Sequence, residues 1–331
     1  MMQGKLKNKD KLLIPTLLVV GILAYFFLDG SFSDNFSNNF SRQVKNISKQ
    51  LEVRQGQNLT IPVPYNWPLF YTALEKQAAK EGAIGNNDSK INGQIIAAIA
   101  PHHDLAAEYS AELFSEISRP GIKTVIIIGP NHENSGSADA ITGAIDYRLH
   151  LGAVETDKDW INWLVKEKLA SLESESFLNE HSIYALVPFV KHYFPDAKIV
   201  PIILKSNLRQ EQALLLGDSL ADRIKANDLT GSTLIIGSID FSHYLSTEQA
   251  NLKDIKTKEA ILDRDYSRLY SFNDDHLDSP MTAVAVLAAA TRLGADKTEI
   301  VANVNQAEAT GLISVPSSTS YFTIMFIKGD N

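Results

Sequence analysis

Ile95-Ile96-Ala97-Ala98-Ile99-Ala100-Pro101-His102-His103-Asp104 is the stretch that decides how this chain reads. Its six leading apolar residues have the length of a buried strand. Pro101, which cannot donate to a sheet ladder, closes the run. Two imidazoles and a carboxylate follow at once. The pattern returns twice: Val125-Ile126-Ile127-Ile128-Gly129 runs into Pro130-Asn131-His132, and Leu234-Ile235-Ile236-Gly237 runs into Ser238-Ile239-Asp240-Phe241-Ser242-His243. In an open α/β sheet, ligands bind in the crevice beyond the carboxyl ends of the strands. A histidine at one strand exit is ordinary. Three delivered the same way point to a shared site.

Outward from these strands the chain alternates. The pattern predicts helices near 106–117, 157–168 (capped by Thr156), 181–193 (kinked at Pro188), 208–226, 247–262, 266–271 and 281–293. It predicts further strands near 198–204, 299–305 and 321–328, and an extended region over 138–145. Such alternation implies an α/β fold with a mostly parallel sheet covered on both faces, the last strand being the candidate for antiparallel pairing. No G-x-G-x-x-G, G-x-x-x-x-G-K-[ST] or G-x-S-x-G occurs, so phosphate cradles and a hydrolase nucleophile elbow have no support.

The N-terminus reads differently. Residues 1–11 are a basic tail with four Lys and one Asp, and 12–28 are an apolar run. At 1.5 Å per residue the run spans about 25 Å, the short end for a membrane helix. Lysines before it and acids after it predict a transmembrane signal anchor with a cytoplasmic N-terminus and an extracytoplasmic domain. A cleaved signal peptide is the alternative, though no A-x-A-like site follows. Residues 29–60 read as a polar stalk and 61–331 as the α/β domain. The chain carries −8 overall, so the part beyond residue 11 bears −11. That balance argues against nucleic acid as a partner. With no cysteine, thiolate nucleophiles and zinc–cysteine sites are excluded.

Two histidines and one carboxylate are a metal-binding inventory that leaves coordination positions open. His102 and His132, both leaving apolar strands through a proline, are the best candidate ligands. His103, on the opposite side of the extended chain, is expected at the rim. Asp240, three residues before His243, is placed to orient that imidazole. His181 follows Glu180 at the start of a helix. Asp278-Ser279-Pro280 reads locally as a helix cap with proline in the first turn. His150, His192 and His276 read as surface residues.

Four ordered motifs resemble the Memo family, known in prokaryotes as AmmeMemoRadiSam system protein B. They are Ala100-Pro101-His102; Gly129-Pro130-Asn131-His132; Glu180-His181-Ser182-Ile183 with Leu186-Val187-Pro188-Phe189; and Ser238-Ile239-Asp240-Phe241-Ser242-His243-Tyr244. The resemblance implies a three-layer α/β sandwich similar to the class III extradiol dioxygenases, which are non-haem iron enzymes. It implies His102 and His132 as the first two metal ligands, with His181, His243 and Asp240 lining the pocket in catalytic roles. The family's third ligand is usually a Cys before a helix, and Asp278 stands nearest that place here. The expected ion is Fe(II), with Zn or Cu as alternatives. The expected function is dioxygenase-like redox chemistry on a small substrate. Metal-assisted hydrolysis and a non-catalytic metal- or peptide-binding module are the alternatives.

Overall fold

The central strands of this protein are hydrophobic on both sides because both sides are covered. A computed structural model describes residues 59–84 and 92–329. The elements run β1 Leu59–Pro62, α1 Trp67–Ile84, β2 Gln94–Ala100, α2 Ala107–Ile117, β3 Thr124–Pro130, β4 Ala140–Thr142, β5 Ile145–Leu149, β6 Gly152–Val154, α3 Lys158–Lys166 and β7 Ser171–Leu172. They continue with α4 His181–Tyr184, α5 Val187–Tyr193, β8 Lys198–Leu204, α6 Gln210–Ala226, β9 Thr233–Ser238, α7 Thr247–Leu262, α8 Tyr266–Tyr270, α9 Pro280–Leu293, β10 Lys297–Asn305, α10 Gln306–Thr310 and β11 Ser320–Lys328. The central sheet has the order β10-β11-β2-β9-β3-β8-β4-β7.

Alternation along each strand sorts the core into two layers. Ile96, Ile126, Ile128, Val200 and Ile202 pack on one face with α6 and α9. Ile95, Val125, Ile127, Ile199 and Ile203 pack on the other with α2 and α5. Gly217 lets α6 lie tight on α9: a Cβ there would sit 2.2 Å from the Ala285 carbonyl oxygen.

The sheet is mixed, which corrects the mostly parallel expectation. The four central strands β2, β9, β3 and β8 are parallel. However, β11 is antiparallel to both β2 and β10, and β4 is antiparallel to β8. The cause at β4 is chain length. Parallel return needs a crossover of about a dozen residues, and the chain between β3 and β4 is a short loop without a helix.

Other expectations shift locally. The helix expected over 181–193 is two helices, because Pro188 sits in the first turn of α5 and lacks the N–H to continue α4. The extended 138–145 region divides into β4 and β5, which join different sheets. Asp157, not Thr156, caps α3, accepting from the Asp159 and Trp160 amides. The expected single-pass membrane placement does not stand: among the described residues no helix is long and apolar enough to cross a membrane. The basic tail 1–11, the segment 12–28 and most of the stretch 29–60 lie outside the described residues.

Candidate metal centre

The parallel strands β2, β3 and β9 all end on one edge of the sheet, and each exit contributes to a single cluster. His102 leaves β2 fully enclosed. Its Nδ1 lies 3.1 Å from Ser238 Oγ at the end of β9. That hydroxyl donates to the Ser182 carbonyl, so its oxygen accepts from His102 Nδ1–H. Nδ1 is thereby set as a donor, and His102 Nε2 faces inward. His132, past the end of β3, is set the same way. Its Nδ1 donates to Glu180 Oε1 at 2.7 Å, and its amide donates to Glu180 Oε2 at 2.9 Å. His132 Nε2 is left free.

Both free nitrogens face Asp278. Its Oδ2 lies 3.1 Å from His102 Nε2 and 3.7 Å from His132 Nε2. Its Oδ1 is buried with no hydrogen-bond partner among the described residues. Ser279, not Asp278, supplies the N-cap of α9, so the Asp278 carboxylate is free of the capping role that its local sequence suggested. The Asp240 carboxylate also turns to His102, accepting from its amide at 3.0 Å and standing 3.7 Å from Nε2. It therefore holds His102 rather than orienting His243, because it is the turn at Asp240 that closes against β2. Asp278 is fastened to the same turn, its amide donating to the Asp240 carbonyl.

His181 opens α4 and joins the cluster. Ring nitrogens of His102, His132 and His181 all lie within 4.8 Å of one another. The rings of His132 and His181 are stacked, with centroids 3.9 Å apart at 22°. His102 is edge-on to both at 5.1 Å. Exposure rises outward: side chains of His102, Asp278, His132 and His181 are 2%, 10%, 29% and 44% accessible. The cluster thus has a dry floor and an open side.

His243 is half-buried, its amide fixed to the Asp274 carbonyl. Its Nδ1 is enclosed without a partner among the described residues. Tyr244 follows it at φ 58 and is 78% exposed; a non-glycine residue in the left-handed region is a strained conformation of the kind that gathers at functional sites. His103 stays at the rim, capping a short 3₁₀ turn through Nδ1. His150 and His192 are exposed as expected. His276 is not a surface residue: it is buried and stacked flat on Phe272 at 4.0 Å. Burial drives its imidazole down to about 4, ahead of the repulsion from Lys253.

The electrostatics are those of a site waiting for positive charge. Burial alone would lower His102, but the Asp240 and Asp278 carboxylates outweigh it and raise the imidazole. Burial likewise opposes protonation of His132, yet its bonds to Asp278 and Glu180 lift it to about 10. Burial would raise the two carboxyls, but His102 and His132 hold Asp278 well below the usual range, and His132 lowers Glu180. His181 goes the other way, to about 4, through burial and then repulsion from His102 and His132. Protons on His102 and His132 thus balance a nest of three carboxylates.

Ser238 and the orienting role of Glu180 were not evident from the sequence. Only the placement of Ser238 at a strand end beside a histidine-bearing exit, and that of Glu180 at a helix start, could have signalled them.

The matching family model decides the relationship: it describes a Memo-like protein and covers residues 70–325. The chain belongs to the Memo family. A MEMO1 family protein of Caldivirga maquilingensis is 28% identical over 71% of this chain and 84% of its own length. One from Methanopyrus kandleri is 28% identical over 70% of this chain and 83% of its own. One from Saccharolobus islandicus reaches 35% identity over 50% of this chain and 57% of its own. Among solved structures, an uncharacterized protein of Escherichia coli K12 aligns at TM-score 0.46 and 13% identity over 70% of this chain and 99% of that one.

Proposed function

We propose that this Memo-family protein holds one divalent cation, Fe(II) by preference, on His102 Nε2, His132 Nε2 and Asp278 Oδ2, and uses it in dioxygenase-like redox chemistry on a small substrate. The observation that carries this reading is the approach of two imidazole nitrogens, whose protons a cation would displace, to one carboxylate oxygen. With metal–ligand bonds of about 2.0–2.2 Å, neighbouring ligand atoms stand roughly 3.0–3.5 Å apart. The 3.1 Å edge lies inside that range and the 3.7 Å edge just beyond it. Asp278 Oδ1, buried and unpartnered among the described residues, is a further donor facing no proton.

The three-imidazole alternative fits less well. A ligand imidazole directs its lone pair in the ring plane. An ion shared by two rings stacked 3.9 Å apart would lie far out of both planes. His181 therefore serves better as a solvent-facing imidazole than as a third ligand.

Fe(II) held by His102, His132 and Asp278 would supply a redox-active Lewis acid. The remaining work belongs to the protein. Ser238 and Glu180 hold the tautomers of His102 and His132. His181, uncharged because of its lowered proton affinity, can accept a proton from an acidic substrate hydroxyl on the open side. His243, whose Nδ1 has no hydrogen-bond partner among the described residues, offers a second imidazole to move a proton. Oxygen uptake by the anaerobically iron-loaded protein across a panel of catechols and other phenols tests the reading. Substrate-dependent uptake that falls in His181→Ala and His243→Ala is expected. Background uptake throughout, with hydrolytic activity in the zinc-loaded protein, would overturn the redox assignment.

A further inference from the structure

A second buried polar cluster, built around one carboxylate, is not used by the proposed chemistry. Asp254, in α7, is fully buried and forms no ion pair among the described residues. Its Oδ1 accepts from the hydroxyls of Ser320 at 2.7 Å and Ser242 at 2.9 Å. Its Oδ2 accepts from Asn303 Nδ2 at 3.2 Å. The two hydroxyls also touch each other at 2.6 Å. Burial raises the proton affinity of this carboxyl, and the three donors oppose the rise. A carboxylate is costly to bury and is retained here by acceptor-only bonding to three donors.

The place of Ser242 gives the arrangement its meaning. It lies between Asp240 and His243. The same turn is laced to β11 by backbone bonds, Phe241 N to Ser320 O and Ser320 N to Ser242 O. Asp240 in turn fixes two candidate ligands. Its side chain accepts from the His102 amide, and its carbonyl accepts from the Asp278 amide. Hydrogen bonds therefore tie Asp254 to Ser242 and Asp240 to His102 and Asp278, and the backbone of the turn joins Ser242 to Asp240.

Resting on the metal-site reading above, we propose that Asp254 is a positioning residue: its buried carboxylate sets the course of the Ser238–His243 turn, and so the placement of His102, Asp278 and His243. Asp254→Ala strands three donors and frees the turn. Asp254→Asn keeps an oxygen for the two hydroxyls and can re-pair with Asn303 by an amide flip of that residue.

The test begins with imidazole NMR of the metal-free full chain, assigned by single histidine substitutions. Asp254→Ala should displace the His102 and His243 resonances and leave those of His150 and His192 in place. Asp254→Asn should return them toward wild type. Co(II) titration then follows, with the d–d spectrum reporting ligand geometry. Asp254→Ala should weaken Co(II) binding by about tenfold or more and alter the spectrum, and Asp254→Asn should restore both. Leu293→Ala, a cavity in α9, is the control that lowers stability without touching the turn. If Asp254→Ala does not fold, Ser320→Ala carries the same comparison. Unmoved imidazole resonances in a destabilised variant, or the same changes in Leu293→Ala, would reduce Asp254 to a packing residue. Failure of the wild type to bind Co(II) would count against the metal-site reading, while the imidazole spectra would still judge Asp254.

Discussion

Replacing Glu180 with Gln probes the logic of the site in one atom. The residue is buried and accepts three hydrogen bonds, from His132 Nδ1, the His132 amide and the Ser182 amide. Gln preserves shape. Its oxygen can keep His132 Nδ1 and Ser182, but its NH₂ then faces the His132 amide, donor against donor. Two charge-assisted bonds become neutral, each weaker by about 1 kcal/mol, and one orphaned amide costs about 1–3 kcal/mol. A net loss of about 3–5 kcal/mol follows, and at roughly 2–4 °C per kcal/mol for a domain of this size, Tm should fall by on the order of 6–20 °C. The pH dependence carries a sign. The raised affinity of His132 contributes stability that is fully present below about pH 6.5 and is lost as pH rises toward about 10. Metal-free wild type should therefore weaken across that window, and Glu180→Gln should be flatter there. Loss of the partner that fixes the tautomer should also weaken metal binding by about 10–100-fold. Thermal melts from about pH 6 to pH 10 and a competitive chelator titration read both effects. A variant with the wild-type slope and wild-type affinity would refute the assignment of Glu180 as the group that fixes His132.

Three other outcomes are expected. Because protons on His102 and His132 stand where the cation would bind, metal loading at about pH 7 should release protons to the buffer, and affinity should climb with pH; calorimetry in buffers of different ionisation enthalpy measures this. Below about pH 6.5 the metal-free protein should lose stability again as pH falls toward about 4, since His181 resists the proton that the unfolded chain takes up; melts at about pH 4.5 and 6.5 compare the two. Gly217→Ala should cost about 1–3 kcal/mol through overpacking of α6 on α9, without changing metal stoichiometry, since its new Cβ meets backbone rather than a flexible side chain.

Much of the architecture was legible because strand and site share one grammar. Apolar runs ending at Pro101 and Pro130 marked both a strand and the place where its histidine emerges, and the folded chain brings His102, His132 and the turn at Asp240 to one edge. Strand direction was less legible. Hydrophobic periodicity is the same for parallel and antiparallel neighbours once both faces are covered, so β4 and β10 gave no warning. The partner of each side chain was least legible. Asp240 lies three residues from His243 and was expected to serve it, yet it serves His102, more than a hundred residues away. Asp278, a helix cap by residue type, proves to face two imidazoles while its neighbour Ser279 caps the helix. Local spacing shows which chemistry is available, and only the sheet's closure shows which groups meet.

The central claim is that His102, His132 and Asp278 hold one ion while His181 stands beside it. Metal content per chain after anaerobic Fe(II) loading tests this most directly, measured on wild type, Asp278→Ala and His181→Ala. The account predicts about one iron in wild type and in His181→Ala, and little in Asp278→Ala. Iron retained without Asp278 but lost without His181 would contradict it and assign the ion to the three imidazoles.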